Sequence, residues 1–277
     1  MKIGIIGLGL MGGSFARVCK RNGHTVYAYD TNPAAMRKGE LLKAFDAELD
    51  ENNIKEVDLL VAAIFPSAFE AAVEKYLPLM KSGAVVSDFC GTKKRVIEVM
   101  RGLSEKFPEL TFIGGHPMAG REFSGIEHSS VNLFEKASMI LVPVNADIYA
   151  LDRVKKFYLS LGFSNVVITD AEDHDGMIAF TSQLCHIVSN AYVKNERAEL
   201  HNGYSAGSYR DLTRVARLDP VMWSQLMTEN KEFLTEELRE LIGHLNEYLS
   251  ALERGDEEGL KKLLADGNER KLEIDVR

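Results

Sequence analysis

Residues 3 to 14 read Ile-Gly-Ile-Ile-Gly-Leu-Gly-Leu-Met-Gly-Gly-Ser, and the fold prediction begins with this stretch. A short apolar run, typical of a buried strand, leads into Gly7, Gly9 and Gly12, and a helical pattern follows. In this GxGxxG spacing the first glycine permits a tight turn, the second lets the backbone approach a diphosphate, and the third lets the helix pack closely on the strand. A glycine-rich turn without a ligand is the plainer alternative, but the strand before it and the helix after it favour a dinucleotide site.

An acidic residue stands where a dinucleotide fold uses one. Asp30 ends the predicted second strand, about 20 residues after the glycines, where a carboxylate bonds the adenosine ribose hydroxyls. Its charge would repel a 2′-phosphate, and Thr31 and Asn32 bring no arginine to offset that repulsion, although Arg37 lies on the following helix. We therefore expect NAD rather than NADP, bound by Gly7, Leu8, Gly9, Leu10, Met11, Gly12, Asp30 and Ile64.

Short apolar runs alternate with amphipathic stretches through the first half of the chain. This alternation is typical of a parallel sheet with right-handed crossover helices, so an α/β domain of the Rossmann type is predicted over residues 1–170. The amphipathic stretches 67–80 and 93–107 are long enough to cross the sheet. Strands are predicted at residues 2–6, 25–29, 58–64, 84–88, 111–113, 138–143 and 165–169.

The pattern changes after Asp170, and residues 171–277 are predicted to form an all-helical domain for substrate binding and dimerisation. Long helices are expected at 171–195 and 220–254, with a shorter one at 257–264 and frayed residues after it. The stretch 171–195 is too apolar for a solvated helix and needs cover on most faces. A homodimer formed through the helical half is therefore expected.

Composition limits the classes of binding partner and the cellular compartment that we expect. The net charge of −8 gives no basic field for nucleic acid or anionic lipid, and charges interrupt every apolar stretch before it reaches membrane-spanning length. The N-terminal residues lack the pattern of a signal peptide. Three widely spaced cysteines form no CxxC pair, which favours a cytoplasmic location, and no ligand spacing predicts a metal site.

A second segment carries a candidate for proton transfer. The strand-like residues 111–113 run into Gly-Gly-His-Pro-Met-Ala-Gly at 114–120, which predicts His116 on a loop beyond a sheet strand. Such loops gather the chemistry of α/β folds, and an imidazole accepts a proton near neutral pH. A structural hydrogen bond is the alternative for any single histidine.

Several motifs occur together in this chain: GLGLMGGS at 7–14, SDFCGTK at 87–93, GGHPMAG at 114–120, His174-Asp175 followed by TSQLCH at 181–186, and DLTRVA at 211–216 with DPVMW at 219–223. In these motifs the sequence resembles the prephenate and arogenate dehydrogenase family over nearly its whole length. The resemblance implies an NAD-dependent oxidative decarboxylation of prephenate to 4-hydroxyphenylpyruvate in tyrosine biosynthesis, or of arogenate as the alternative. It also implies an active site in the cleft between a nucleotide-binding domain and a helical dimer-forming domain.

The resemblance assigns roles to individual residues. His116 would accept the proton of the ring hydroxyl, and Arg214 would bind a substrate carboxylate, for which a guanidinium is well shaped. His186 would contact the substrate side chain, and Glu122 would lie at the mouth of the site. Without the resemblance, Arg214 reads as a salt-bridge residue, His186 as a buried core histidine and Glu122 as a solvated carboxylate.

Two positions depart from the family pattern. Most relatives carry a serine where this chain has Gly91, and Thr92 beside it is expected to supply the hydroxyl. Gln183 replaces the first histidine of the helix motif. Both departures fall on the hydrogen-bond relay expected around His116. Trp223 is expected to pack against the cleft or the dimer interface.

Two other functions fit the glycine turn. The 3-hydroxyacid and 6-phosphogluconate dehydrogenases need a catalytic lysine on the first interdomain helix, where this chain has Gln183 and His186, and Lys194 comes too late. An NAD-binding regulator would need neither His116 nor Arg214. Within the family, prephenate is expected to be preferred over arogenate, because Glu122 is assigned as a partner of Arg214 rather than as an ammonium acceptor.

Overall fold

The first half of the chain folds around one eight-stranded sheet, in the order β3-β2-β1-β4-β5-β6-β7-β8. The structure is a computed structural model, and it describes residues 1–121 and 123–276. All neighbouring strands are parallel except β6 and β7. The predicted combination of a Rossmann-type domain and a helical domain is confirmed. The strands are β1 (Lys2–Ile6), β2 (Thr25–Tyr29), β3 (Ala47–Glu48), β4 (Leu59–Ala62), β5 (Val85–Asp88), β6 (Thr111–Pro117), β7 (Ser138–Pro143) and β8 (Asn165–Ile168).

Helices connect most of the parallel strands. They are α1 (Leu10–Arg21), α2 (Pro33–Leu41), α3 (Phe69–Glu74), α4 (Lys94–Lys106) and α5 (Ile148–Ser160). The helix predicted at 67–80 is shorter than expected, because 3₁₀ turns that contain prolines, Pro66–Ala68 and Leu77–Leu79, flank α3. A proline ring cannot donate the backbone hydrogen bond that a continuous helix would need there.

Strand β6 differs from its prediction in length and in direction of pairing. It continues past Ile113 to Pro117, so His116 lies within the strand and pairs with Ile140, not on a loop beyond it. The pairing with β7 is antiparallel, because the described residues between these strands contain a 3₁₀ turn at Ile126–His128 and no α-helix to cross the sheet. Glycine at 115 allows close packing, since a Cβ there would lie 2.7 Å from the Asp88 carbonyl oxygen.

The second half is helical, with α6 (Ala171–Ile178), α7 (Cys185–Tyr192), α8 (Gly207–Thr213), α9 (Pro220–Glu229), α10 (Lys231–Arg254) and α11 (Glu257–Asp275). A π-helical segment at Ala179–Leu184 joins α6 to α7. The single helix predicted over 220–254 is wrong, because the chain breaks at Asn230, whose side chain donates to Gln183 Oε1 and to the Asp175 carbonyl, each at 2.8 Å. The prediction for α11 was also wrong, since this helix runs to Asp275.

The core lies mainly on the two faces of the sheet. One apolar layer centres on Phe15, which is fully buried and packs edge-on against Phe89, with ring centroids 4.8 Å apart. The opposite layer packs α3 and α4 on the sheet. A smaller cluster joins the π-helical segment to α10. None of the helices in the described ranges is long and apolar enough to cross a membrane.

The turn between β1 and α1 depends on glycine at two points. Gly7 has a φ of +93°, which disfavours a side chain, and a Cβ on Gly12 would lie 1.9 Å from the Gly7 carbonyl oxygen. The backbone would have to move to accept that atom. At Gly9, by contrast, a Cβ would meet no described atom within 4 Å. Gly12 is thus required by packing, and Gly9 leaves open space beside the turn.

We expect Gly12→Ala to lower the free energy of unfolding by more than about 2 kcal/mol, because overpacking against backbone cannot be relieved by a side-chain rotation. Urea denaturation followed by circular dichroism measures the change. Gly9→Ala is the matched control and should remain within about 0.5 kcal/mol of the parent protein. Equal stability of the two variants would contradict this description of the turn.

Candidate active site

The glycine turn and Asp30 form one hydrogen-bonded unit. The Leu8 backbone N–H donates to Asp30 Oδ2 at 2.6 Å, and the Asn32 N–H donates to Oδ1 at 2.8 Å. Gly7 N–H donates to the Tyr29 carbonyl at 2.8 Å, which holds the turn against the end of β2. Asp30 therefore lies directly beside the turn, where it can reach the ribose hydroxyls of a dinucleotide.

The other predicted cofactor residues surround the same turn. Ile64 lies against it, since a Cβ on Gly7 would be 2.7 Å from Ile64 Cγ2. Leu10 and Met11 form the first residues of α1, and no described side chain caps the N-terminus of this helix. The first N–H groups of α1 and the open space at Gly9 suit a diphosphate. The residues that the sequence singled out are thus brought together and fit the cofactor.

His116 is hydrogen-bonded to a second histidine from the helical half. His116 Nδ1 lies 2.9 Å from His174 Nε2, and His174 Nδ1 lies 2.7 Å from Asp175 Oδ1. His174 and Asp175 are fully buried, and His116 is largely surrounded by protein with part of its surface accessible. The three side chains form a row that runs from the helical half of the protein to the end of strand β6.

The Asp175 carboxylate also caps helix α4. Its Oδ1 accepts from the Lys93 N–H at 2.7 Å, and its Oδ2 accepts from the Lys94 N–H at 2.8 Å. The first N–H groups of a helix have no partner within it, and a carboxylate also interacts favourably with the positive end of the helix dipole. This contact joins α6 of the helical half to α4 of the nucleotide-binding half.

Beneath this row lies a buried ion pair. Lys93 Nζ bonds Asp88 Oδ2, and both side chains are fully buried. Asp88 also accepts from the Cys90 N–H at 2.7 Å and from the Gly115 N–H at 3.1 Å. A buried charge needs such partners, because burial removes its hydration. The pair therefore fixes the connection between β5 and α4 against the strand that carries His116.

Both histidines of the row are held towards their neutral forms. Burial lowers the pKa of His116 well below its usual value of about 6.5, and the nearby His174 and Lys93 lower it further. Burial also lowers the pKa of His174, and its hydrogen bond to Asp175 opposes that shift only in part. A neutral imidazole can accept a proton, so His116 is suited to act as a general base at neutral pH.

A second group of residues gathers around His186. His186 Nδ1 donates to the Val215 carbonyl at 3.0 Å, which places this ring beside the residue that follows Arg214. The ring of Trp223 lies 4.0 Å from that of His186, centroid to centroid. Arg214 is exposed at the end of α8. The structure thus brings His186 next to the segment that carries Arg214 and packs Trp223 on His186, whereas their expected roles towards the substrate stay predictions.

The two departures from the family pattern have defined partners. Thr92 is buried, and its hydroxyl donates to Glu229 Oε2 at 2.9 Å. Gly91 packs on Leu226, since a Cβ there would lie 3.3 Å from that side chain. Gln183 is buried and donates to the Leu226 carbonyl at 3.2 Å, so it helps to hold the break between α9 and α10. Glu122, which the sequence assigned to the mouth of the site, lies outside the described residues.

The sequence prediction missed the role of the buried polar residues around His116. His174 and Asp175 entered it only as part of a motif, and the charges of Asp88 and Lys93 were not considered. The available signal was the occurrence of charged residues in otherwise apolar segments, since charges are almost never fully buried unless they are paired. No group of ligands for a metal ion occurs among residues 1–121 and 123–276.

The two halves of the chain match two known family profiles. Residues 15–167 match the family profile described as the nucleotide-binding domain of prephenate dehydrogenase, and residues 170–266 match its dimerization domain. A cyclohexadienyl dehydrogenase from Zymomonas mobilis is 29% identical over 266 residues, which cover 92% of this chain and 89% of that protein.

Solved structures show the same similarity over the whole chain. Prephenate dehydrogenase from A. aeolicus, in complex with hydroxyphenyl propionate and NAD+, superposes with a TM-score of 0.84 at 29% identity and covers 99% of this chain and 98% of its own. Synechocystis arogenate dehydrogenase superposes with a TM-score of 0.81 at 25% identity and covers 99% of this chain and all of its own.

We expect Lys93→Met to lower the free energy of unfolding by about 3–5 kcal/mol, because it leaves the buried Asp88 carboxylate without its cation. Chemical denaturation measures the loss. Lys94→Met is the matched control, since the neighbouring Lys94 side chain is 60% exposed and pairs with the exposed Glu232. That control should change stability by less than about 1 kcal/mol. Similar losses in both variants would show that the buried pair has no special importance.

Proposed function

The chain belongs to the prephenate dehydrogenase family, and we propose that it converts prephenate to 4-hydroxyphenylpyruvate. It is an NAD-dependent dehydrogenase. The observation that carries the choice of reaction is His116, a histidine held neutral at the carboxyl end of β6. The carboxyl ends of β1, β4, β5 and β6 meet at one edge of the sheet, so this histidine shares an edge with the glycine turn.

In the proposed reaction His116 is the proton acceptor. NAD, when bound, supplies the acceptor for the hydride that leaves the ring carbon bearing the hydroxyl. His116 takes the hydroxyl proton as the carbonyl forms. Carbon dioxide then leaves, the electrons of the broken C–C bond make the ring aromatic, and the proton returns to the resulting phenolate oxygen. Aromatisation makes the reaction effectively irreversible. The protein contributes orientation and charge placement around these bonds.

The cofactor and substrate would be held from opposite sides of the cleft. We propose that Gly7, Gly9 and the first N–H groups of α1 bind the diphosphate and that Asp30 binds the adenosine ribose. Leu8, Leu10, Met11, Gly12 and Ile64 would line the same cofactor site. The position of Asp30 beside the turn supports this assignment, since its oxygens already accept from two backbone N–H groups there.

On the substrate side, Arg214 is proposed to bind a carboxylate and His186 the side chain. The hydrogen bond between His186 and the Val215 carbonyl supports these roles, because it holds helix α7 beside the segment that carries Arg214. Thr92 is proposed to act beside them, because a hydroxyl that donates to Glu229 can still accept from a ligand. Glu122 keeps its proposed place at the mouth of the site, as a partner of Arg214.

We further propose that the domain boundary falls between residues 170 and 171 and that the protein acts as a cytoplasmic homodimer. Helix α10 carries a stripe of apolar side chains that are about half exposed in the single chain: Ile242, Leu245, Leu249 and Leu252. Their spacing places them on one face of the helix. A second copy of the helical half would cover that face. We propose no binding to nucleic acid or to a membrane.

Oxidation of prephenate can be tested directly by following NADH formation from NAD. We expect turnover with prephenate and a lower kcat/KM with arogenate, because the ammonium group of arogenate would need an acceptor on entering the site. Initial rates with both substrates decide between them. A preference for arogenate would reverse the assignment within the family. Absence of turnover with either substrate would instead favour an NAD-binding regulator or another dehydrogenase.

We expect His116→Asn to lower kcat by about 10²- to 10⁴-fold with little change in the substrate KM, since it removes a general base. The exposed His128→Asn is the control. In the parent enzyme only the neutral form of His116 is active, so kcat/KM falls as pH drops through the lowered pKa of His116. The midpoint of this loss of activity should therefore lie below pH ~6.5, the usual pKa of histidine. An acid limb above this pH, or near-normal turnover in His116→Asn, would identify a different base.

We expect Arg214→Gln to raise the substrate KM by about 10-fold or more, because it removes a charge-assisted contact to a carboxylate. The dissociation constant for NAD should not change. Arg217→Gln, a substitution at another exposed arginine, is the control. Equal losses in NAD and substrate binding would mean that Arg214 supports the structure rather than the substrate.

A further inference from the structure

We propose that His174 and Asp175 are positioning residues, which fix the proton of His116 on Nδ1 and leave Nε2 as the atom that accepts the substrate proton. This inference rests on the proposed function of His116 as the general base. It assigns an active-site role to two residues of the helical half, both of which are buried on α6.

Asp175 determines which nitrogen of His174 carries the proton. A carboxylate without a proton only accepts hydrogen bonds, and this one accepts from the backbone N–H groups of Lys93 and Lys94. Its contact with His174 Nδ1, at 2.7 Å, therefore requires that Nδ1 carries the proton. The α4 amides hold the carboxylate in place, so the orientation of His174 is set by the contact between the two halves of the protein.

His174 in turn determines which nitrogen of His116 carries the proton. In a neutral imidazole with its proton on Nδ1, Nε2 is an acceptor. That atom lies 2.9 Å from His116 Nδ1, so His116 must donate from Nδ1. A neutral His116 then has its lone pair on Nε2. The chain of hydrogen bonds thus selects one of the two tautomers of the base.

The opposite tautomer is disfavoured by charge. With the His116 proton on Nε2, a hydrogen bond between the rings would require both nitrogens of His174 to carry protons, and this would place a cation in a buried site. Burial lowers the pKa of His174 and Lys93 lowers it further, and the carboxylates of Asp175 and Asp88 oppose this shift only in part. The acceptor state of His174 is therefore the favoured one.

The same chain serves the reaction after proton transfer. The proton that leaves the substrate hydroxyl binds His116 Nε2, and the ring becomes a cation that still donates from Nδ1 to His174. The negative charge of Asp175 lies at the far end of this chain, in a region of low dielectric where such interactions are strong. A carboxylate that orients a catalytic histidine does the same in serine hydrolases, where no second histidine intervenes.

Nitrogen NMR of the wild-type protein tests the tautomer without an activity measurement. Histidine labelled with ¹⁵N distinguishes a protonated ring nitrogen from a bare one, and the spectrum of His116→Asn assigns the His116 signals. At pH 7.5 we expect His116 with a protonated Nδ1 and a bare Nε2. A bare Nδ1, or rapid exchange between the two tautomers, would overturn the proposal. This result does not depend on which substrate the enzyme uses.

A matched pair of variants tests the effect on turnover. Gln and Met are similar in shape, but only Gln places an acceptor oxygen where His174 Nε2 lies. We expect His174→Met to lower kcat about 10- to 100-fold, as part of the contribution of the base, with the substrate KM and NAD affinity unchanged. His174→Gln should stay within about threefold of the wild type, because it still accepts from His116.

The results that would overturn the role of His174 differ from those that would overturn the proposed reaction. Equal losses in the Gln and Met variants, or no loss in His174→Met, would overturn the role of His174. Thermal unfolding of both variants identifies a folding defect, and in that case the wild-type NMR measurement decides. If the wild-type protein oxidises neither prephenate nor arogenate, the proposed function fails, whereas the tautomer measured by NMR still tests the positioning chain.

Discussion

The Asp175 carboxylate makes the contact on which the rest of the site depends. It accepts from the first N–H groups of α4 and from His174, and so it joins the nucleotide-binding half to the helical half at a buried point. Without it, the amides at the start of α4 would lose their partners, and a buried amide without a partner is costly. The same contact also places His174 against His116. The stability of the domain interface and the orientation of the proposed base therefore have one physical origin.

Charged groups are concentrated where the two halves meet, and the buried ones have specific partners. Lys93 neutralises Asp88, which in turn holds the backbone of Gly115 beside His116. Such a network rigidifies a site when every member is paired, and it destabilises the fold when one member is lost. Asn230 extends the network to the break between α9 and α10. The apolar layers of the sheet supply the stability that allows these charges to be buried.

Local features of the sequence predicted much of the fold and part of the site. The glycine turn and each apolar strand run are short local patterns, and Asp30 follows the turn at a characteristic spacing, so pattern and spacing were sufficient. Features that depend on distant partners were not predicted. Strand β6 reaches His116 because it pairs with β7, and the helix breaks at Asn230 because Gln183 and Asp175 bind its side chain. The contact between His116 and His174 joins residues that are 58 positions apart, and no local pattern indicates it.

The central claim is that His116 and His174 act as one unit in proton transfer, and a double-mutant cycle tests it most directly. The cycle compares kcat/KM for prephenate in His116→Asn, His174→Met and the double variant. Once the base is absent, the residue that orients it has no further effect on the chemistry. The account predicts that the double variant is within about threefold of His116→Asn alone. Losses that multiply across the two substitutions would contradict it, because they would mean that the two histidines act independently.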